Sequence, residues 1–146
     1  MPKTKIAAVI QGKGTTVHSV SPDDTVYDAL KFMAEVNVGA LLVTEDGKVA
    51  GIISERDYAR KIALFHKSSS ETKISEIMTS NVVTISPQHT VDEAMATMTS
   101  KGIRHLPVLD DQEQLVGLVS IGDLVKTVIE NQKQVIQQLE SYIQGN

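Results

Sequence analysis

The sequence predicts a mixed α/β (α+β) fold made of two pseudo-symmetric repeats, each with the order strand, helix, strand, strand, helix. The first supporting observation is a passage that begins at Val17 and recurs 65 residues later at Val82, with ten identities in the first 30 aligned pairs. The second is the motif Gly-h-h-Ser-x-x-Asp, in which h is apolar, which ends at Asp57 in the first copy and at Asp123 in the second. Repeated units of this kind imply paired surfaces.

The elements of the first repeat follow from its hydrophobic period. Ser and Thr side chains that precede apolar residues at helical spacing predict helix N-caps. Two apolar runs on either side of the turn Glu45–Asp46–Gly47 predict a hairpin. The predicted elements are, in order, a strand at Val17–Val20, a helix capped by Thr25, strands at Val38–Val43 and Val49–Ile53, and a helix capped by Ser54 from about Glu55 to Phe65.

The second repeat follows the same order after a polar linker. Its predicted elements are an opening strand from Val82, a helix over Val91–Ser100, strands at Ile103–Leu109 and Leu115–Val119, and a last helix capped by Ser120. The predicted division is an N-terminal segment 1–14, a first domain 15–66, a linker with a short helix at Ile74–Met78 over 67–80, a second domain 81–128, and a helical extension 129–146. Because a lone repeat of roughly 60 residues is marginally stable, we expect the two repeats to share a core.

The last helix is predicted to be unusually long, from Ile121 to about Ile143, with apolar residues in a roughly heptad stripe interrupted by Gln132. Its second half has no counterpart in the first repeat. One interpretation is a helix that lies across its own domain, and the other is a contact between two copies in a dimer.

Composition excludes several classes of function. A formal net charge of −4 and 3% aromatic residues argue against nucleic-acid binding through basic patches or base stacking. The absence of cysteine excludes disulfides and thiolate chemistry. No apolar run approaches the ~20 residues of a membrane span, and no signal-peptide core is present, so we expect a cytoplasmic protein with neither nucleic acid nor membrane as partner.

Catalysis is not expected. The four histidines lack metal-ligand spacing, and no nucleophile or Walker motif is present, so we expect no metal and no catalytic cofactor. Asp57 and Asp123 lie in nearly identical contexts, whereas an acid–base pair needs two different environments.

The arrangement of motifs resembles the tandem pair of cystathionine-β-synthase (CBS) domains known as a Bateman module. The resemblance covers about residues 15–128 and depends on three features: the V-x-x-h-x-P-x-x-T-h-x-x-A-h-x-x-M opening, the strand that ends Leu106–Pro107–Val108, and the two G-h-h-S-x-x-D motifs. It implies two clefts between pseudo-symmetric halves. Many members of that family bind adenine nucleotides there, including AMP, ADP, ATP, S-adenosylmethionine and NAD-type dinucleotides, and the aspartate matching Asp57 and Asp123 contacts ribose.

The two Ser-x-x-Asp motifs, Ser54–Asp57 and Ser120–Asp123, carry the candidate site. Each is predicted where a strand turns into a helix, where unpaired N–H groups and the helix dipole favour a phosphate. The aspartate, one turn on, can accept both hydroxyls of a ribose. The alternative interpretation is an ordinary helix start, since this motif is also a capping box.

Basic side chains are predicted to neutralise phosphate charge. Arg56 and Arg60 lie near the first motif, and Arg104 and His105 precede the Leu106–Pro107–Val108 strand. Lys13, between two glycines, is predicted to lie in a flexible loop that closes over a phosphate. The alternatives are surface salt bridges and a merely mobile loop.

The other candidate positions would hold adenine through apolar contacts and backbone hydrogen bonds, or else belong to the core. They are Thr16, Val17, His18, Val38 and Ala40 in repeat one, and Val82, Val83, Ile103 and Pro107 in repeat two. Gly39 and Ile121 complete the predicted nucleotide-binding residues. Since Gly39–Ala40 takes the place of Arg104–His105, the two sites are predicted to differ in charge.

These features together predict a regulatory module that binds an adenine nucleotide, AMP, ADP or ATP before NAD(H) or S-adenosylmethionine. We expect a homodimer that signals to an unidentified protein partner in trans by a shift in conformational populations. The alternative is a dimerisation scaffold that needs no ligand and whose clefts are vestigial.

Overall fold

The computed structural model describes residues 3–14 and 17–144. The elements are α1 (Ile6–Lys13), β1 (Ser19–Val20), α2 (Val26–Val36), β2 (Ala40–Glu45), β3 (Lys48–Ser54), α3 (Glu55–Tyr58) with a π-helical turn (Ala59–Ala63), a 3-10 turn (Ile74–Glu76), α4 (Val91–Lys101), β4 (His105–Leu109), β5 (Leu115–Ser120) and α5 (Ile121–Ile143). They form one sheet in the order β1-β2-β3 and a second sheet of β4 and β5. The predicted mixed α/β class with two repeats is confirmed.

Threonine hydroxyls begin the first helix of both repeats, as the sequence predicts. Thr25 Oγ1 accepts the Asp28 N–H at 3.1 Å, and Thr90 Oγ1 accepts the Glu93 N–H at 3.1 Å. Each hydroxyl satisfies one of the N–H groups that a helix start leaves without a partner. The first helix of each repeat is therefore fixed by local sequence.

The two hairpins differ by the residue inserted in repeat two. In repeat one a two-residue turn, Asp46–Gly47, has positive φ at both positions, 53° and 78°, which matches the twist of the paired strands. In repeat two the longer turn is held by Asp110, whose Oδ1 accepts the N–H groups of Gln112 and Gln114, each at 2.9 Å. The insertion is thus absorbed in the turn, and both sheets keep the same pairing near their helices.

Two segments that begin Thr-Lys-Ile, at Thr4 and at Thr72, are exchanged between the repeats. The Val91 N–H of repeat two donates to the Thr4 carbonyl at 2.9 Å, and the Val26 N–H of repeat one donates to the Thr72 carbonyl at 2.9 Å. The chain before repeat one therefore packs on repeat two, and the linker packs on repeat one.

Most of the buried apolar side chains form two separate clusters, one for each repeat, so the prediction of one shared core is wrong. Ile6, Val9 and Ile10 of α1 belong to the cluster of repeat two, whereas Ile74 and Ile77 of the linker belong to the cluster of repeat one. Each repeat is too small to seal its own apolar face, and the exchanged segment supplies the missing surface.

The exchanged segments lie very close to their sheets at two equivalent glycines. A Cβ atom at Gly51 would meet Met78 Sδ and the Thr79 carbonyl at 2.8 Å, and one at Gly117 would meet Ile10 Cδ1 at 3.0 Å. The glycine of each G-h-h-S-x-x-D motif thus makes room for the segment that covers its strand.

The opening strands are shorter than predicted. In repeat one only Ser19–Val20 forms a strand, and in repeat two the predicted strand from Val82 is reduced to one bridge between Ile85 and Val108. The physical reason lies in the neighbouring strand. The Leu42 N–H donates to the His18 carbonyl at 3.4 Å, but the equivalent residue in repeat two is Pro107, which has no N–H to donate.

The helix predicted from Glu55 to Phe65 is also shorter and irregular. It is α-helical only over Glu55–Tyr58 and then widens into the π-helical turn Ala59–Ala63, with the Leu64 N–H donating to the Ala59 carbonyl at 3.3 Å. Ile62 in this turn is buried in the core of repeat one.

The apolar side chains of helix α5 join the core of repeat two only as far as Val128, and one turn later Asn131 Nδ2 donates to Thr4 Oγ1 at 3.0 Å. Beyond Val128, the side chains of Ile129, Ile136, Leu139, Tyr142 and Ile143 are between 51% and 83% exposed. The interpretation that this half lies across its own domain is therefore wrong. Among the described residues, no helix is both long and apolar enough to cross a bilayer.

Candidate functional site

The start of α5 gathers four of the predicted site residues, which we call the repeat-two cluster: Lys13, His105, Ser120 and Asp123. His105 lies directly opposite Ser120 across β4 and β5, and Ser120 is the N-cap of α5. Asp123, one turn into the helix, faces back toward Ser120, and Lys13 reaches it from the end of α1. The cluster thus combines β4, β5, α5 and the exchanged α1.

Asp123 is the centre of the repeat-two cluster. Its Oδ2 accepts Lys13 Nζ at 2.6 Å and the Ser120 N–H at 2.8 Å, and its own N–H donates to Ser120 Oγ at 3.1 Å. Burial alone raises the pKa of Asp123, but the hydrogen bond from Lys13 and those within the Ser120 cap outweigh burial and hold the pKa below its ordinary value of 3.8. The carboxylate is therefore ionised at neutral pH.

His105 is kept neutral by the same surroundings. Burial lowers the pKa of His105 below 6.5, and the positive charges of Lys13 and Arg104 lower it further, against the opposing effect of Asp123. At neutral pH the ring can therefore donate or accept a hydrogen bond without adding charge.

The prediction that Lys13 lies in a flexible loop is wrong. Lys13 is the last residue of α1 rather than part of a flexible loop, and its ammonium also donates to the Leu118 carbonyl at 2.7 Å. The predicted loop over a phosphate is thus, in this structure, a helix end bound to the carboxylate.

The equivalent repeat-one cluster consists of Ala40, Ser54, Asp57 and Lys61. Ala40 lies opposite Ser54, and Asp57 Oδ2 accepts the Ser54 N–H at 3.0 Å. Asp57 Oδ1 lies 3.1 Å from Lys61 Nζ, which also donates to the Ile77 carbonyl at 2.7 Å. Sequence reasoning missed Lys61, although the (i, i+4) spacing from Asp57 is the usual signal of an ion pair on a helix.

Both Ser-x-x-Asp motifs are capping boxes, as the alternative interpretation held. The first N–H group of each helix also has a backbone acceptor. The Glu55 N–H donates to the Gly39 carbonyl at 3.0 Å, and the Ile121 N–H donates to the Arg104 carbonyl at 2.9 Å. Most of the N–H groups assigned to a phosphate are thus already bonded. Any phosphate at these junctions therefore depends mainly on cationic side chains.

The remaining candidates differ in their exposure. Arg56, Arg60, Arg104 and Gly39 are exposed; Val17, His18, Val38, Val82, Val83, Ile103 and Ile121 are half-buried; Pro107 is buried. Thr16 lies outside the described residues. The His18 ring meets Phe32 edge to face, with centroids 5.5 Å apart. A pocket of about 240 Å³ lies between α1 and α5, and its lining includes Lys13, Asp123 and Lys126.

Comparison with known proteins identifies the fold. The family model of the CBS domain matches residues 14–64 and 74–130, once for each repeat. The chain belongs to the CBS domain family. Both the fold class and the resemblance drawn from the sequence are confirmed, and the chain is a CBS pair of the regulatory and signalling kind.

Three relatives illustrate the range of CBS pairs to which the chain is similar. The mitochondrial CBS domain-containing protein CBSX3 of Arabidopsis thaliana is 44% identical, over 97% of this chain and 73% of its own. A structure of a protein with CBS domains from Burkholderia ambifaria MC40-6 is 49% identical, with a TM-score of 0.85 over 88% of this chain and 96% of its own. The CBS pair of protein MJ0100, solved with 5′-methylthioadenosine and S-adenosyl-L-methionine, is 27% identical, with a TM-score of 0.78 over 89% and 99% of the two chains. Since one relative is mitochondrial, the cytoplasmic location stays a prediction.

Proposed function

We propose that this CBS pair binds adenine nucleotides at the repeat-one and repeat-two clusters and reports their occupancy to a protein partner. The observation that carries the proposal is the pair of aspartates, Asp57 and Asp123, each held by a capping box at a strand-to-helix junction with its carboxylate beside a lysine. A fixed carboxylate suits ribose hydroxyls, and neighbouring cations suit phosphates.

Two further observations support an adenine ligand. The MJ0100 pair, a fold neighbour along nearly its whole length, holds two ligands that contain adenosine. In repeat two, His105 lies opposite the Ser120 cap and the charges of Lys13, Asp123 and Arg104 all act on its ring, so that cationic and neutral donors lie together near the start of α5. AMP, ADP and ATP are the proposed ligands, ahead of NAD(H) and S-adenosylmethionine.

The proposed output is a population shift. A ligand on Asp123 acts on a residue that already contacts α1, and α1 belongs to the core of repeat two. Binding that favours one position of α1 changes the surface offered to a partner, and it can do so only as far as the two states differ in affinity.

The exposed stripe of α5 supports a homodimer and favours a second candidate function, a dimerisation scaffold without ligand. Such a stripe is larger than the isolated apolar residues of ordinary surfaces. Sedimentation of the wild type and of Ile136→Glu tests the dimer, with Gln137→Glu, at the next exposed position but off the apolar stripe, as control. A monomeric wild type would contradict both the dimer and the scaffold.

A thermal-shift panel with AMP, ADP, ATP, NAD, NADH and S-adenosylmethionine tests ligand binding. A ligand at 100 times its Kd stabilises the folded state by about 2.7 kcal/mol, which raises the Tm of a chain of this size by about 5–10 °C. We expect that rise in the wild type, and its reduction in Asp57→Ala or Asp123→Ala.

Loss of a cap could itself lower the Tm of these variants. Glu93→Ala is the matched control because it breaks the equivalent capping box on α4, a helix that contributes no residue to either cluster. Glu93→Ala should keep the full ligand-induced rise. If no ligand shifts the Tm of the folded wild type, nucleotide binding is wrong and the scaffold is favoured.

A further inference from the structure

Lys13 holds the carboxylate that a bound ribose needs. Its ammonium donates to Asp123 Oδ2 at 2.6 Å, and the same oxygen accepts the Ser120 N–H at 2.8 Å. Two ribose hydroxyls on one carboxylate use both of its oxygens. A ribose at Asp123 therefore competes with one of these two donors.

Of the two donors, the lysine is the one that can leave. The Ser120 N–H belongs to the backbone where β5 passes into α5. Lys13 is a flexible side chain at the end of α1, next to Gly14, where the backbone leaves the helix with φ at 101°. A lysine ammonium on a four-carbon stem can turn to a new acceptor within its reach.

We propose that Lys13 makes the repeat-two site selective for phosphorylated adenosine ligands, because it yields Asp123 to the ribose and pairs with the ligand phosphate instead. The inference rests on the proposed function, since it needs an adenosine ligand at Asp123. A neutral nucleoside replaces the ion pair of Asp123 with hydrogen bonds from uncharged hydroxyls and leaves the ammonium without an anion. A nucleotide gives the ammonium a phosphate in exchange for the carboxylate.

Repeat one is built differently, so the selectivity is assigned to repeat two. Lys61 and Asp57 lie on one continuous helical segment, whereas Lys13 and Asp123 lie on different helices. Each lysine also donates to one backbone carbonyl at 2.7 Å, that of Ile77 for Lys61 and that of Leu118 for Lys13, so only the origin of the lysine differs. The residue of repeat two that is equivalent to Lys61 is Thr127, whose hydroxyl donates to the Asp123 carbonyl at 3.1 Å. The lysine of repeat two is therefore supplied only by the exchanged α1.

Isothermal titration with AMP and with adenosine, which differ only in the phosphate, tests the inference. The full chain carries Asp57→Asn, so that repeat one contributes little binding, and is compared with the same chain bearing Lys13→Met. The matched control is Lys126→Met, which removes the same charge from the α5 side of the same pocket. Thermal melts without ligand establish that all three chains are folded.

We expect Lys13→Met to reduce the preference for AMP over adenosine by about tenfold or more, with adenosine binding more tightly than in the parent. Lys126→Met should keep the preference within about twofold, since Lys126 is exposed, makes no ion pair with Asp123 and is screened by solvent and salt. If both ligands bind and Lys13→Met keeps the parent's preference, the inference is wrong while the proposed function stands. An equal loss in both lysine variants also overturns it, because general charge would then explain the preference. If neither ligand binds to any of the three chains, the inference fails together with the proposed binding at the repeat-two cluster, and the thermal-shift panel on the wild type decides binding at the repeat-one cluster.

Discussion

The two repeats place a lysine beside the same aspartate, but they take it from different parts of the chain. Asp57 pairs with Lys61, one turn further along its own helical segment, whereas Asp123 pairs with Lys13, 110 residues away in sequence. The first pair is formed whenever its helix is formed. The second pair exists only while α1 is docked on repeat two, so it couples the candidate site to an element outside the repeat.

The residues near the two aspartates, Asp57 and Asp123, also differ between the repeats. Repeat two has Arg104 and His105 where repeat one has Gly39 and Ala40. Repeat two therefore combines a long-range lysine and a histidine near its aspartate, whereas repeat one has Arg56 where repeat two has Gly122. The aspartate at the equivalent position thus makes a local ion pair in repeat one and a long-range ion pair, beside a histidine, in repeat two.

The largest expected effect tests whether the exchanged segments are equivalent. Ile6 and Ile74 occupy matching positions and are both fully buried, in the cores of repeat two and repeat one. Truncation leaves a cavity, so we expect Ile6→Ala and Ile74→Ala each to lower the free energy of unfolding by about 2–5 kcal/mol in urea titrations.

The exposed Ile136→Ala on α5 serves as a control for a change of the same chemistry at an unburied position. It should lower the free energy of unfolding of the monomer by far less than either core variant. If Ile6→Ala also has little effect, α1 does not complete the core of repeat two, and the comparison between the repeats fails.

The exchange itself was in principle visible in the sequence. Thr-Lys-Ile occurs at Thr4 and again at Thr72, but the spacing is 68 residues rather than the 65 found from Val17 onward, so a repeat aligned at one offset misses it. Local features were predicted well because they depend on neighbouring residues: the caps at Thr25 and Thr90 and the length of α5. The contact of Lys13 with Asp123 depends on where α1 docks, which hydrophobic period alone does not determine.

The next largest expected effect on stability comes from two equivalent glycines, Gly51 and Gly117. An alanine Cβ at Gly51 meets a backbone carbonyl, that of Thr79, at 2.8 Å, whereas at Gly117 it meets the end of the Ile10 side chain at 3.0 Å. A side chain can move more readily than a backbone. We expect Gly51→Ala to cost about 1–3 kcal/mol of unfolding free energy and Gly117→Ala less. Equal costs in urea titration would mean that the linker yields as easily as α1.

A smaller expected effect is on the free energy of unfolding at acidic pH. Because the pKa of folded Asp123 lies below its ordinary value of 3.8, its ionisation stabilises the fold above that pH, and this contribution is lost as the pH falls through the folded value. Asp123→Asn should therefore cost on the order of 1 kcal/mol near pH 7, and the difference from the wild type should shrink below about pH 4.

Lys13→Met tests the cause of that difference. If the ammonium of α1 is what lowers the pKa of Asp123, Asp123→Asn in a Lys13→Met background should cost less near pH 7 than in the wild type. Additive costs of the two substitutions, measured by denaturation at pH 7 and at pH 4, would show that α1 and Asp123 are not coupled in solution.

The smallest expected effect is a change in the pKa of His105, which reports whether the end of α1 lies beside this ring. Burial lowers the pKa of this ring first, and the nearby charge of Lys13 lowers it further, so Lys13→Met should move the pKa of His105 up toward 6.5. Proton NMR titration of the ring resolves such a change, and the three other histidines serve as references in the same sample. Because the folded ring binds its proton more weakly than the unfolded one, stability falls as the pH drops below 6.5, and Lys13→Met should flatten that slope. An unchanged His105 titration would place the ammonium away from the ring, and repeat two would then lose the feature that sets it apart from repeat one.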